Sequence, residues 1–243
     1  MKKQRKSLMA VRDIKNYSLS YEILNQSKTK TILFLHGWGS NKEIMKQAFA
    51  KKLKGYKHIY LDMPGFGSSS IDKAIGTKEY ALIVIEFLNS LHVEVDVVVG
   101  HSFGGKVATL LEPKNLVLLS SAGIVVEKSF KIKIKIKIFK FFKNIVPQSL
   151  YKFFISDDVK GMSQTMYEVF KRVVDEDFAS IFEKSTCNTL IFWGKKDSAT
   201  PQSSGETILK LMKNSKFFTL EGDHFFFMKN SKYICEVIEN EQL

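Results

Sequence analysis

Gly100-His101-Ser102-Phe103-Gly104 follows an apolar, β-branched run from Val95 to Val99 that only Asp96 interrupts. It leads into Gly105-Lys106-Val107-Ala108-Thr109-Leu110-Leu111, which reads as the start of a helix. A G-x-S-x-G between a buried strand and a helix is a nucleophile elbow, a turn so tight that the serine is strained and its hydroxyl presented outward. Gly100 and Gly104 are required there because a Cβ on either would collide with the neighbouring strand or helix.

Outward from the elbow, strand-like and helix-like stretches alternate. Upstream, Tyr17 to Leu24 alternates apolar and polar residues, and Thr31-Ile32-Leu33-Phe34-Leu35 is continuously apolar, as in a strand covered on both faces. Glu43 to Leu53 has helical spacing, and His58-Ile59-Tyr60-Leu61 is a short strand ending in the turn-rich Asp62-Met63-Pro64-Gly65-Phe66-Gly67-Ser68-Ser69. Thr77 is placed to cap a helix through Leu91, with Ala81, Ile85 and Leu88 on its buried stripe. Downstream, Leu116 to Leu119 is a sixth strand, and Thr189 to Trp193 and Phe217 to Leu220 are the last two. Helices are expected over Gln202 to Lys213 and Lys229 to Glu239, and residues 1 to 13 read as a loose basic lead-in. The pattern gives an α/β class with a doubly wound, mostly parallel sheet. Ligands of such sheets sit beyond the carboxyl ends of the strands, and His36 to Ser40, Ser102, Asp197 and His224 each lie just past one.

Composition narrows the function classes. The chain has 243 residues, 44% of them apolar, and a formal net charge of +12, which suits one domain or one domain with an insertion. Of the 37 basic residues only Arg5, Arg12 and Arg172 are arginine. Base-edge readout leans on arginine, and no helix-turn-helix, zinc or RNP pattern is present, so no nucleic-acid partner is expected. Leu8-Met9-Ala10-Val11 is too short for a signal sequence, and no stretch is long enough to span a membrane. Cys187 and Cys235 lack metal spacing, and two thiols make no disulfide framework. The expected compartment is the cytoplasm. With no glycine-rich phosphate cradle and no ligand cluster, neither a metal nor a cofactor is expected.

His36-Gly37-Trp38-Gly39, Asp62-x-Pro-Gly-x-Gly-x-Ser69, Gly100 to Gly104, Trp193-Gly-Lys-Lys-Asp197 and Gly222-Asp-His224 occur in order, each on a loop after a strand. In this the chain resembles enzymes of the α/β-hydrolase fold over about residues 17 to 124 and 187 to 239. The resemblance implies a Ser102, Asp197, His224 triad: His224 takes the serine proton and Asp197 holds the other ring nitrogen. Asp223 adjoins His224 and is weighed against Asp197, but reads better as a turn residue. Asp62 reads as a structural hydrogen-bonder beneath Pro64-Gly65, His36 as structural, His101 as packing, and His58 and His92 as solvated. The resemblance also implies that the backbone N–H groups of Trp38 and Phe103 face the oxygen that becomes negative.

In the family a helical cap is inserted after the sixth strand, so the expected division is a core over 1–123, a cap over 124–186 and the rest of the core over 187–243. The interval from Lys128 to Ser156 holds eight lysines and no acid. Its Lys-Ile alternation alone reads as a strand, whereas the Phe139-Phe142 and Ile138-Ile145 spacings and the family's helical caps favour a helix. Three uses compete for Lys133, Lys135, Lys137 and Lys140: plain solvation, docking of an acidic acyl carrier protein, and contact with an anionic membrane surface. Within the family, His-Gly-Trp-Gly, the short core and the basic cap resemble the pimeloyl-acyl-carrier-protein methyl ester esterases, which commonly carry Trp where this chain has His101. The expected activity is cleavage of a carboxylic ester through an acyl-enzyme. A carbon–carbon bond hydrolase of meta-cleavage type is the alternative, and a non-catalytic binding protein of the same fold comes third.

Overall fold

A computed structural model of the protein describes residues 8–125 and 162–241. The described strands form one eight-stranded sheet in the order β1-β2-β4-β3-β5-β6-β7-β8. They are β1 (Leu8–Ile14), β2 (Tyr17–Leu24), β3 (Thr31–Leu35), β4 (Lys57–Leu61), β5 (Val97–His101), β6 (Asn115–Leu119), β7 (Asn188–Gly194) and β8 (Ser215–Leu220). At one edge β2 pairs antiparallel with both β1 and β4, and the remaining pairings are parallel. The helices, numbered in chain order, are α1 (Lys42–Phe49), α2 (Thr77–Ser90), α3 (Phe103–Leu110), α4 (Gln164–Val173), α5 (Ala179–Lys184), α6 (Gln202–Leu211) and α7 (Phe227–Asn240).

β3, β5 and β6 are buried at every position, as their unbroken apolar runs require of strands covered on both faces. Met45 and Phe49 of α1 pack with Phe227, Ile234 and Ile238 of α7 in the core on one face. Tyr80, Val84 and Phe87 of α2, Val107 of α3 and Ile208 of α6 pack in the core on the other, where Val169 of α4 and Phe182 of α5 join them. After β3 the chain crosses to β4 on one side, then returns past β3 to β5 on the other. That reversal opens a crevice beyond the ends of β3 and β5. Leu35 pairs with Gly100 at that end, so the loops carrying Trp38 and Ser102 leave the sheet side by side.

Four readings are corrected. Leu8–Ile14 is an edge strand rather than a loose lead-in; Arg12 and Asp13 are exposed there, and the Arg12 guanidinium donates to Ser90 O. Ile85 does not lie on the buried stripe of α2, which runs through Tyr80, Ala81, Val84 and Phe87. His58 is buried inside β4, where Tyr60 Oη lies 2.8 Å from Nδ1 and Leu53 O 2.9 Å from Nε2. The helix expected to reach Leu53 ends at Phe49, and Leu53 turns the chain with φ of 47°. Lys133, Lys135, Lys137, Lys140 and the helix inferred around Ile138 to Ile145 lie outside the described residues. Among the described residues no helix is long and apolar enough to cross a membrane.

Candidate active site

Ser102 sits between β5 and α3 with φ of 51° and ψ of −116°, a conformation costly for any residue with a Cβ. The turn is held from both sides: Ser102 N–H donates to Leu119 O, and Ser102 O accepts from Gly105 and Ala122. The flanking glycines are obligatory. A Cβ on Gly100 would lie 2.4 Å from Gly104 O, and one on Gly104 would lie 2.5 Å from the carbonyls of Leu35 and His36.

The loop after β3 is fixed from beneath. His36 is fully buried; its Nδ1–H donates to Gly37 O at 2.8 Å and its Nε2 accepts from Met63 N–H at 3.1 Å. Burial holds this imidazole down, to about 4, against the opposing pull of the Gly37 carbonyl and Asp62. Asp62 accepts from the Lys42 backbone N–H, from Lys42 Nζ and from Ser68 N–H, at 2.7, 2.7 and 3.0 Å, so it bears out its structural reading. Trp38 packs its indole against Phe66, Phe103 and Phe170. Phe103 begins α3, so its N–H has no intrahelical acceptor and lies at the positive end of the helix dipole.

The loops after β7 and β8 are stitched together by backbone. Lys195 N–H donates to Leu220 O and Lys196 N–H to Gly222 O. Gly194 lies so close that a Cβ there would be 2.3 Å from Asp223 O. This brings Asp197 Oδ2 within 2.8 Å of His224 Nδ1. Thr200 Oγ donates to the same oxygen at 2.9 Å, and the N–H groups of Ala199 and Thr200 donate to Oδ1. Burial pushes the Asp197 carboxyl up, but the bonds from His224 and Thr200 outweigh it and bring the group down to about 2. Asp223 instead turns its carboxylate back to Phe225 N–H. The sequence signal for Thr200 is an Asp followed by a hydroxyl residue three positions on, the pattern of a side-chain-closed turn.

Ser102 and His224 line one cavity of about 530 Å³, together with Trp38, Phe103, Ile124, Phe170 and Phe225. Among the described residues no hydrogen bond joins the serine hydroxyl to the imidazole, and the two meet across the cavity. Such pairs commonly tighten only with substrate bound. The arrangement offers a hydroxyl and an imidazole oriented by a carboxylate, with Trp38 and Phe103 lining the same mostly apolar pocket.

Lipase 1 of Psychrobacter immobilis is 25% identical over 225 residues, covering 78% of this chain and 69% of that protein. The uncharacterized hydrolase YugF of Bacillus subtilis is 24% identical over 231 residues, 82% of this chain and 85% of that protein. A putative esterase/lipase 2 of Mycoplasma pneumoniae is 33% identical over 88 residues, a match spanning only 32% of its length and 35% of this chain. Among solved structures, an esterase from Exiguobacterium antarcticum superposes with a TM-score of 0.75 at 20% identity, covering 95% of this chain and 97% of its own. A bacterial membrane phospholipase A superposes with a TM-score of 0.78 at 18% identity, covering 96% and 86%. At such identities these likenesses are of fold. The alpha/beta hydrolase family model matches residues 32–229, and the chain belongs to that family.

Proposed function

We propose that the protein is a serine esterase that cleaves a carboxylic ester through an acyl-enzyme formed on Ser102. The observation that carries this reading is the 2.8 Å contact from Asp197 to His224 Nδ1, with the imidazole sharing a cavity with the serine of a strained elbow. The steps follow from these atoms. Asp197 holds Nδ1, so Nε2 is the nitrogen free to take the Ser102 proton as Oγ bonds to the ester carbon. The carbonyl oxygen becomes negative and is met by the N–H groups of Trp38 and Phe103. The carbon–oxygen bond to the alcohol then breaks, and the imidazolium returns its proton to the leaving oxygen. Water repeats the sequence on the acyl-enzyme, with His224 as base, and releases the acid.

The apolar lining from Ile124, Phe170 and Phe225 suits an acyl chain. We read residues 124–186 as a cap and its lysines Lys133, Lys135, Lys137 and Lys140 as a surface for an acidic acyl carrier protein. The support is in the sequence: eight lysines and no acid from Lys128 to Ser156. The test is a fluorophosphonate probe on the wild type and on Ser102→Ala, followed by a panel of a short ester, a long ester, a carrier-bound methyl ester and a dienoic ring-fission product. Labelling confined to wild-type Ser102, with loss of ester turnover of about 10⁴-fold in the variant, is the expected result. Labelling that survives Ser102→Ala overturns it, and turnover of the ring-fission product alone moves the activity to carbon–carbon bonds. Replacing the four lysines by Gln lowers kcat/KM for the carrier-bound ester several-fold at low salt and leaves small neutral esters unchanged. Equal effects on both substrates rule out carrier docking.

A further inference from the structure

We infer that His101 is a positioning residue for the base, gripping the loop that carries His224 from behind and keeping it in register with the elbow and the loop of Trp38. The inference rests on the reading of His224 as the base. His101 ends β5, is 1% exposed, and is the residue before the nucleophile. Its Nε2 lies 3.0 Å from the backbone carbonyl of His224. A carbonyl only accepts, so Nε2 carries the proton and donates it. Nδ1 has no hydrogen-bond partner among the described residues, so the ring is neutral in the Nε2–H tautomer. Burial, with the neighbouring His224 second, keeps it neutral down to about 3.

One ring therefore touches three loops. It lies 4.6 Å from the His224 ring, with Phe225 and Phe227 at 5.3 and 4.8 Å. On its other side the chain at Gly37 comes so near that a Cβ there would be 2.7 Å from His101 Nδ1 and 3.1 Å from Ser102 Cβ. The base is then restrained at two points: Asp197 holds its side chain and His101 its main chain. Neutrality belongs to the same design, because His224 becomes a cation each time it takes the serine proton, and a second cation at this distance would oppose it.

The test separates the donor from the ring. His101→Phe keeps an aromatic body and removes the N–H; His101→Gln places an amide N–H near the lost one. With a short p-nitrophenyl ester, the Phe variant is expected to lose about ten- to hundredfold in kcat with KM within about twofold, the scale of a misplaced catalytic group. The Gln variant recovers to within about threefold of wild type. The second readout needs no substrate: the downfield NMR signal of the His224 Nδ1–H bonded to Asp197 broadens in the Phe variant and returns in the Gln variant. An unchanged kcat and a sharp signal in the Phe variant overturn the inference, as does a Gln variant as impaired as the Phe variant. If the Phe variant does not fold, His101→Met, donor-free and smaller, takes its place in both measurements. Failure of the esterase reading is distinct, because it shows as absent labelling of wild-type Ser102 while the NMR comparison still reports on His101.

Discussion

At Asp197 four donors converge on one carboxylate: the His224 ring, the Thr200 hydroxyl and the N–H groups of Ala199 and Thr200. Replacing it with Asn leaves the volume but puts an amide that cannot hold the Nδ1–H tautomer opposite the imidazole. Asp197→Asn is expected to lower kcat by about 10³–10⁴-fold with KM changed little, read by steady-state hydrolysis of a p-nitrophenyl ester. Asp223→Asn keeps the oxygen that accepts from Phe225 N–H, so its kcat stays within about twofold. A reversal of the two results would reassign the carboxylate. The candidate triad was legible because each member stands in a short motif after a strand. What was not legible is why Asp197, rather than Asp223, faces the ring. That choice depends on the close approach of Gly194 to Asp223 O, a contact between residues 29 apart that no local pattern encodes.

Periodicity marks whole elements where pattern and environment coincide, and loses them where tertiary context decides burial. The central strands β3, β5 and β6 each carry a continuous apolar run and are buried at every position, so pattern and environment agree. Among the described residues β1 pairs on one side only, and an edge strand tolerates Arg12 and Asp13 facing solvent, which erases the alternation of a half-buried strand. His58 is buried rather than solvated for a related reason: a strand starting at Lys57 places it inside the sheet, where Tyr60 and Leu53 satisfy both nitrogens. The same logic singles out Lys42 in the first turn of α1. Its side chain is 5% exposed and that of its partner Asp62 is 1% exposed, at 2.7 Å. Lys42→Met leaves a buried carboxylate without its cation and is expected to cost about 3 kcal/mol in urea unfolding. Adding Asp62→Leu does not recover the loss, because the same carboxylate also accepts from the Lys42 and Ser68 N–H groups and those donors would be orphaned. A loss below about 1 kcal/mol in the single variant would show that the buried pair is dispensable.

For the molecule as a whole, two buried imidazoles that the fold keeps neutral contribute to the dependence of stability on acid. His36 is held at about 4 and His101 at about 3, both chiefly by burial, against about 6.5 in an unfolded chain. Between those values the unfolded state binds protons that the folded state refuses, so stability falls as pH falls. The contribution is complete above about 6.5 and is lost as pH drops toward 4 for His36 and toward 3 for His101. Asp197, held at about 2 against an ordinary 3.8, has the same sign but acts only below about 4, so the higher window belongs to the histidines. Two protons correspond to a slope of up to about 2.7 kcal/mol per pH unit between pH 4.5 and 6. Urea unfolding at half-unit steps is expected to show that fall, and His101→Gln, which cannot titrate, to halve the slope to about 1.4 kcal/mol per unit. The geometry explains why neither ring yields sooner: protonating His36 Nε2 would turn it from acceptor to donor against Met63 N–H, and protonating His101 would place a cation beside the His224 ring. A wild-type stability flat from pH 6 to 4.5 would mean that both rings reach water or a counter-charge before the fold gives way.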